Sequence, residues 1–126
     1  METKKNLAAE KKISGKCNCA QAILCTYYDK AKINLDMAMQ LGNSFAVGMG
    51  NMEGTCGAIV GAGMILGLCC HNKTEAMQKM RQIMIKFQQR NTTTQCKLLK
   101  GIETKKVLRE CPDCVADAAE FLEEVI

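Results

Sequence analysis

The chain has no tryptophan, one proline and one histidine, and only two tyrosines and three phenylalanines among its 126 residues. So few rings exclude a core built on aromatic stacking and leave Leu, Ile, Met and Ala to fill the interior. Nine methionines suit irregular gaps between helices. The same scarcity removes the interleaved rings on which nucleic-acid bases stack. With His71 as the one histidine, histidine-rich metal sites and Cys–His–Asp nucleophile arrangements have little to draw on. Period-2 alternation is missing too, and β-branched residues never cluster with aromatics, so no strand is expected. The opening METKKNLAAEKK lacks the apolar core of a secretory signal, which places the chain in the cytoplasm. Residues 54–70 carry no charge, but so short and Gly-rich a run falls short of a membrane span. A buried central helix is the better expectation, with no membrane partner.

What is present is unevenly placed. The net charge of +4 hides a basic stretch, residues 73–109, followed by residues 110–126, which hold acidic side chains and no basic one. These two segments are expected to answer each other in the fold, so the basic stretch reads as a solvated face and nucleic acid is not expected as a partner. Glycine is concentrated as well, with eight of the ten between Gly42 and Gly67. Each glycine inside a helix costs about 0.8–1 kcal/mol relative to alanine, so the repetition asks for close helix packing.

The length suits one domain, residues 1–126, and apolar spacing predicts helices throughout. The first spans roughly 3–14 and ends at Gly15. A second, over 17–31, sets Ala20, Ile23, Leu24 and Tyr27 on one face. Asn34 or Asp36 caps a third near 35–45. The fourth, near 55–70, is the Gly-rich helix. A fifth opens with Asn72 as cap and Glu75 as its box partner, with an apolar stripe of Met77, Met80, Met84 and Phe87. RNTTTQCKLLKG forms a polar turn and a short helical piece, and the last helix runs from CPDC through Val115, Ala118, Ala119, Leu122 and Ile126. The expected fold is all-α: a compact bundle of about five to six helices around a Gly-rich central helix.

Nine cysteines without a secretory signal favour thiol chemistry or metal binding over a disulfide framework. Roughly 20 Å of helix separates Cys56 from Cys69, so the two do not share a site. Cys69 and Cys70 fall at a helix C-terminus, where the dipole disfavours a thiolate, and Cys25 points away from Cys19; all three read as packing residues. Cys56, as N-cap or first residue of its helix, faces unpaired backbone N–H groups that lower a thiol pKa. A plain capping role is the equal alternative. In CPDC, Pro112 fits the first helical position, which makes Cys111 the N-cap and places Cys114 at the third, on the same side. Such a pair forms a local disulfide or binds one metal. CCH at 69–71 lacks the first cysteine of a haem-attachment motif, and GMGNMEG has neither the strand nor the spacing of a dinucleotide loop.

CNCAQAIL, GMGNMEGTCGAIVGA, TQCKLLKG and CPDCVADAAEFLEEVI, in that order, resemble the bacterial and archaeal redox-active protein family named for its C–GCAxxG–C–C pattern. The resemblance runs from about residue 15 to residue 126. It implies four key positions at Cys19, Cys56, Cys96 and Cys111, with Cys17 and Cys114 as extra thiols placed to resolve or substitute. The family name spells Gly-Cys-Ala-x-x-Gly where this chain reads Cys56-Gly57-Ala58-Ile59-Val60-Gly61. Inside a helix that one-place shift turns the sulfur by about 100°; in the preceding turn it is harmless.

Three readings stand open at this level. In the first, Cys19, Cys56, Cys96, Cys111 and Cys114 carry thiol–disulfide chemistry with a redox partner protein. In the second, Cys19, Cys56, Cys96 and Cys111 form a four-thiolate metal or iron–sulfur centre for electron transfer or sensing. In the third, the cysteines are small apolar fillers in a helical module, with homodimer packing as a natural use of its Met-rich and Gly-rich faces.

Overall fold

Seven helices follow one another in the computed structural model, which describes residues 2–126: α1 (Lys5–Ile13), α2 (Cys19–Tyr27), α3 (Leu35–Gly42), α4 (Gly57–Cys69), α5 (Lys73–Asn91), α6 (Cys96–Lys100) and α7 (Cys111–Val125). Strands are absent among the described residues, apart from one isolated antiparallel bridge between Thr55 and Gln95.

Local chemistry sets where each helix begins. Asn18 and Gln21 form a reciprocal capping box, each side chain taking the other residue's backbone N–H, so α2 starts at Cys19 rather than at Cys17. Asn34, not Asp36, caps α3 by accepting from Met37 N–H. At α5, Asn72 accepts from Glu75 N–H as expected, but the Glu75 carboxylate accepts from His71 N–H instead of closing the box. α2 also stops early, at Tyr27, where the chain turns through Lys32 at a φ of 60°.

Helix α2 is buried along its whole length and packs against α1, α3, α4 and α7. The Gly-rich α4 shares the centre of the bundle with it. Their close approach explains the glycines: a Cβ on Gly61 would lie 2.8 Å from the Ala20 carbonyl oxygen and 3.2 Å from Ile23 Cβ. Around this pair, Ile59, Ile65, Ile83, Phe87, Val115 and Leu122 close the core.

The expected stripe of α5 is only partly right. Phe87 is buried with Ile83, while Met80 and Met84 pack at the core's edge and Met77 is 59% exposed. Opposite Met77 stand Gly63 and Gly67, which offer no side chain to cover it, and an open groove results.

The two charged segments do meet. Arg90 reaches Asp117 at 2.9 Å and Glu120 at 2.7 Å, and Arg109 reaches Asp117 at 2.9 Å. No helix of the described residues is long and apolar enough to cross a membrane.

Candidate functional site

Four helix beginnings point into one cavity of about 50 Å³. Its lining includes Cys19, Cys56, Cys96, Cys111 and Cys114, with Ala46, Val47, Gly57 and Leu99 as apolar wall. All nine cysteines of the chain are free thiols.

Each sulfur arrives by a different route. The capping box fixes Cys19 as first residue of α2. Cys56 is the N-cap of α4, its carbonyl accepting from Ile59 and Val60 N–H, so it still lies in the turn and its one-place shift leaves it facing the cavity. Cys96 opens α6. The strap before α4 pairs with the strap before α6 through Cys56 N–H to the Thr94 carbonyl at 2.9 Å and Cys96 N–H to the Gly54 carbonyl at 3.0 Å. This tie places Cys56 and Cys96 side by side.

The register of α7 differs from expectation. Glu110, not Cys111, is the N-cap, so Cys111 and Pro112 take the first two helical positions and Cys114 N–H bonds the Glu110 carbonyl at 3.0 Å. Proline is tolerated there because the early N–H groups of a helix have no intrahelical partner. Cys111 and Cys114 still share the side facing the cavity.

Cys19 is held well below the ordinary thiol value, at about 6. The leading cause is the Cys111 thiol, which hydrogen-bonds the thiolate; the Val47 and Ala20 amides and the Lys12 charge add to this, against the cost of burial. Cys111 is correspondingly pushed up, first by Cys19 and then by burial. The second pair repeats the pattern deeper in the fold. Cys56 is lowered by the Cys114 thiol, with the Ala58 and Ile59 amides helping, whereas Cys114 is raised by Cys56 and by burial. Cys96 has no such thiol partner, and burial raises its pKa.

The Val47 amide reaches Cys19 because the backbone there is bent the unusual way. Four consecutive residues, Val47, Gly48, Met49 and Gly50, have φ of 51°, 53°, 63° and 95°. A β-branched residue in this region is strained, and such strain gathers where a backbone group must be aimed.

The remaining cysteines lie elsewhere. Cys17 stands outside the cavity, 4.0 Å from Met39 Sδ, and faces Cys25, whose thiol is pushed up to about 11 chiefly by burial. Cys69 donates to the Lys30 carbonyl at 3.4 Å, and both Cys69 and Cys70 have raised pKa values. Half-buried Lys12, Lys100 and Arg109, together with Asn18, complete the cavity lining. Of these only Asn18 had a sequence signal, the Asn-x-x-Gln of its capping box, which also marks Cys19 as the first helical residue. Lys12, Lys100 and Arg109 come from three separate elements, and no local pattern marks them.

A four-thiolate metal centre needs its sulfurs around one point. Among the described residues no three or more Cys, His, Asp or Glu side chains are grouped to hold a metal ion. The arrangement does not fit such a centre.

The model of the family described as "Putative redox-active protein (C_GCAxxG_C_C)" matches residues 17–125. Neither the curated proteins nor the solved structures contain a match to the chain.

Proposed function

The chain belongs to the C_GCAxxG_C_C family of redox-active proteins, and we propose that it works by thiol–disulfide exchange at two dithiol pairs, Cys19–Cys111 and Cys56–Cys114. The observation that carries this reading is that thiols from four helix beginnings line one cavity, the lowered Cys19 and Cys56 together with the raised Cys111 and Cys114 of α7.

A thiolate is the nucleophile in disulfide exchange, and it works best with a pKa near ambient pH. Cys19 meets that condition at about 6. Its thiolate attacks a disulfide sulfur of the oxidant, whose S–S bond breaks as a mixed disulfide forms at Cys19. Cys111 then loses its proton to solvent and displaces the second sulfur, leaving a Cys19–Cys111 bridge and two reduced thiols on the former oxidant. An external dithiol returns the pair to its reduced state. Cys56 and Cys114, 4% and 2% exposed, form the inner pair, which exchanges with the outer one across the shared cavity. Cys96, protonated and unpaired, lines the wall between Cys19 and Cys56.

Bridge mapping tests the proposal. The reduced protein is oxidised in a graded dithiol–disulfide buffer, quenched by alkylation, digested and analysed by mass spectrometry. Cys19–Cys111 and Cys56–Cys114 peptides are expected. A Cys111–Cys114 bridge alone, or nine alkylated thiols at every potential, would overturn it.

A further inference from the structure

We infer that the cavity takes a small organic disulfide bearing a carboxylate, with Lys12 and Lys100 as the side chains that bind the anion. This rests on the thiol reading above and adds the substrate class to it.

The charged side chains that line the cavity are all cationic. Lys12, Lys100 and Arg109 line the cavity, and no carboxylate does. Arg109 is already committed, with Nε and Nη2 at 2.9 and 3.0 Å from the two oxygens of Asp117. Lys12 and Lys100 have no carboxylate partner among the described residues. Lys97, three residues before Lys100, has two, Glu53 at 3.1 Å and Glu103 at 2.7 Å. Two half-buried ammonium groups beside the thiols, with no carboxylate from the protein to pair them, suit an anion brought by the ligand, and Lys12 also favours the Cys19 thiolate that attacks it.

The rest of the lining decides what kind of anion. Ala46, Val47, Gly57 and Leu99 give apolar walls. The one neutral polar side chain, Asn18, is spent: its Oδ1 accepts from Gln21 N–H and its Nδ2 donates to the Gly42 carbonyl. An inorganic oxyanion would find few hydrogen-bond donors to surround it. A short alkyl arm ending in a carboxylate matches apolar walls with two lysines. The volume of about 50 Å³ holds a few water-sized groups, enough for a sulfur and one or two methylenes.

In the reaction, the Cys19 thiolate attacks one sulfur of R–S–S–R, the S–S bond breaks, and the first R–S⁻ leaves and takes a proton from water. Cys111 gives its proton to solvent and attacks Cys19 Sγ. The second R–S⁻ leaves as the Cys19–Cys111 bond forms. Two electrons pass from the protein dithiol to the small disulfide.

A pair of matched probes tests this: dithiodipropionate, which carries carboxylates, and hydroxyethyl disulfide, which is neutral. Rates of Cys19–Cys111 formation in the reduced protein are compared with the rates of the same probes on mercaptoethanol. At low salt the anionic-to-neutral ratio is expected to exceed the mercaptoethanol ratio by about 10-fold. It should shrink as salt approaches about 0.5 M, and Lys12→Met and Lys100→Met should each lower it several-fold. A ratio equal to that of mercaptoethanol, with both probes still forming the bridge, overturns the anion preference and leaves the thiol reading standing. If neither probe forms the bridge, both fall. A faster reaction with selenite than with dithiodipropionate overturns the organic-disulfide assignment.

Discussion

Arg109 holds Asp117 in a two-point fork, Nε to Oδ2 at 2.9 Å and Nη2 to Oδ1 at 3.0 Å, while the Arg109 carbonyl lies 3.9 Å from Cys114 Sγ. The buried carboxylate also takes Arg90 Nη1 at 2.9 Å and Asn91 Nδ2 at 3.0 Å. One side chain therefore ties α5, α7 and the segment before α7 together, directly behind the thiols.

Asp117→Ala leaves Arg109 and Asn91 without their shared acceptor. The two arginines left behind are each more than a third exposed and regain water, so the cost is that of the lost charge-assisted hydrogen bonds, about 1–3 kcal/mol. Denaturant unfolding of the reduced protein should show a loss of that size; a change below about 1 kcal/mol would mean that the network carries little.

The nucleophilic thiol should reveal itself in its titration. Iodoacetamide alkylation of Cys19 is expected to rise with pH through about 6 and level off above it. Replacing Cys111 by alanine removes the leading cause of the low value, so the midpoint should move upward by at least about one pH unit toward the ordinary thiol value near 8.5. A midpoint near 8.5 in the native chain already would contradict the paired-thiol geometry.

Stability should follow the same proton. Cys19 has a folded-state pKa of about 6 against the ordinary value near 8.5, so between these values the unfolded chain binds more protons than the folded one. Stability contributed by this group is complete above pH 9 and is lost as pH falls through 6. The lowered Cys56 works in the same direction. Above pH 9 the raised thiols, Cys25 at about 11 among them, reverse the slope. Thermal unfolding of the reduced protein should give a Tm that climbs from pH 6 toward 9; the reverse trend would sink the assignment, and Cys19→Ser should flatten the climb.

Two glycines of α4 should respond oppositely to alanine. At Gly61 the new Cβ would meet the Ala20 carbonyl oxygen at 2.8 Å, while at Gly67 nothing lies within 4 Å. Overpacking makes Gly61→Ala destabilising by about 1–3 kcal/mol. Gly67→Ala should gain up to about 1 kcal/mol from helix propensity alone. Equal effects in chemical denaturation would show that α2 and α4 are not in close contact.

The helices, their order and their caps at Asn34 and Asn72 are written locally, in apolar spacing and in residues that bond their own backbone. So is the glycine argument for α4, since repeated interior glycine has few reasons other than close packing. The site is legible only in part. The four motifs mark Cys19, Cys56, Cys96 and Cys111, but which thiol faces which depends on how α7 lies across α2 and α4. The CPDC register slipped because proline is equally at home at either of the first two helical positions. The left-handed run at Val47–Gly50 leaves little trace, since valine and methionine do not announce a positive φ. Asp117 looks like any acidic residue of a charged tail until Arg90, Asn91 and Arg109 close around it.

The first turn of α7 contributes one sulfur to each dithiol pair, and this gives the oxidation state a mechanical meaning. In the doubly bridged form the C-terminal helix is stapled at its start to both α2 and the head of α4. The Cys19–Cys111 staple alone closes a loop of about three quarters of the chain, a constraint on the order of 4 kcal/mol. In the reduced form, α7 is held by packing, by the Asp117 knot and by ion pairs such as Lys5–Glu120 and Lys86–Glu124. On the proposed exchange chemistry, oxidation is therefore also a change in how firmly the last helix is fastened.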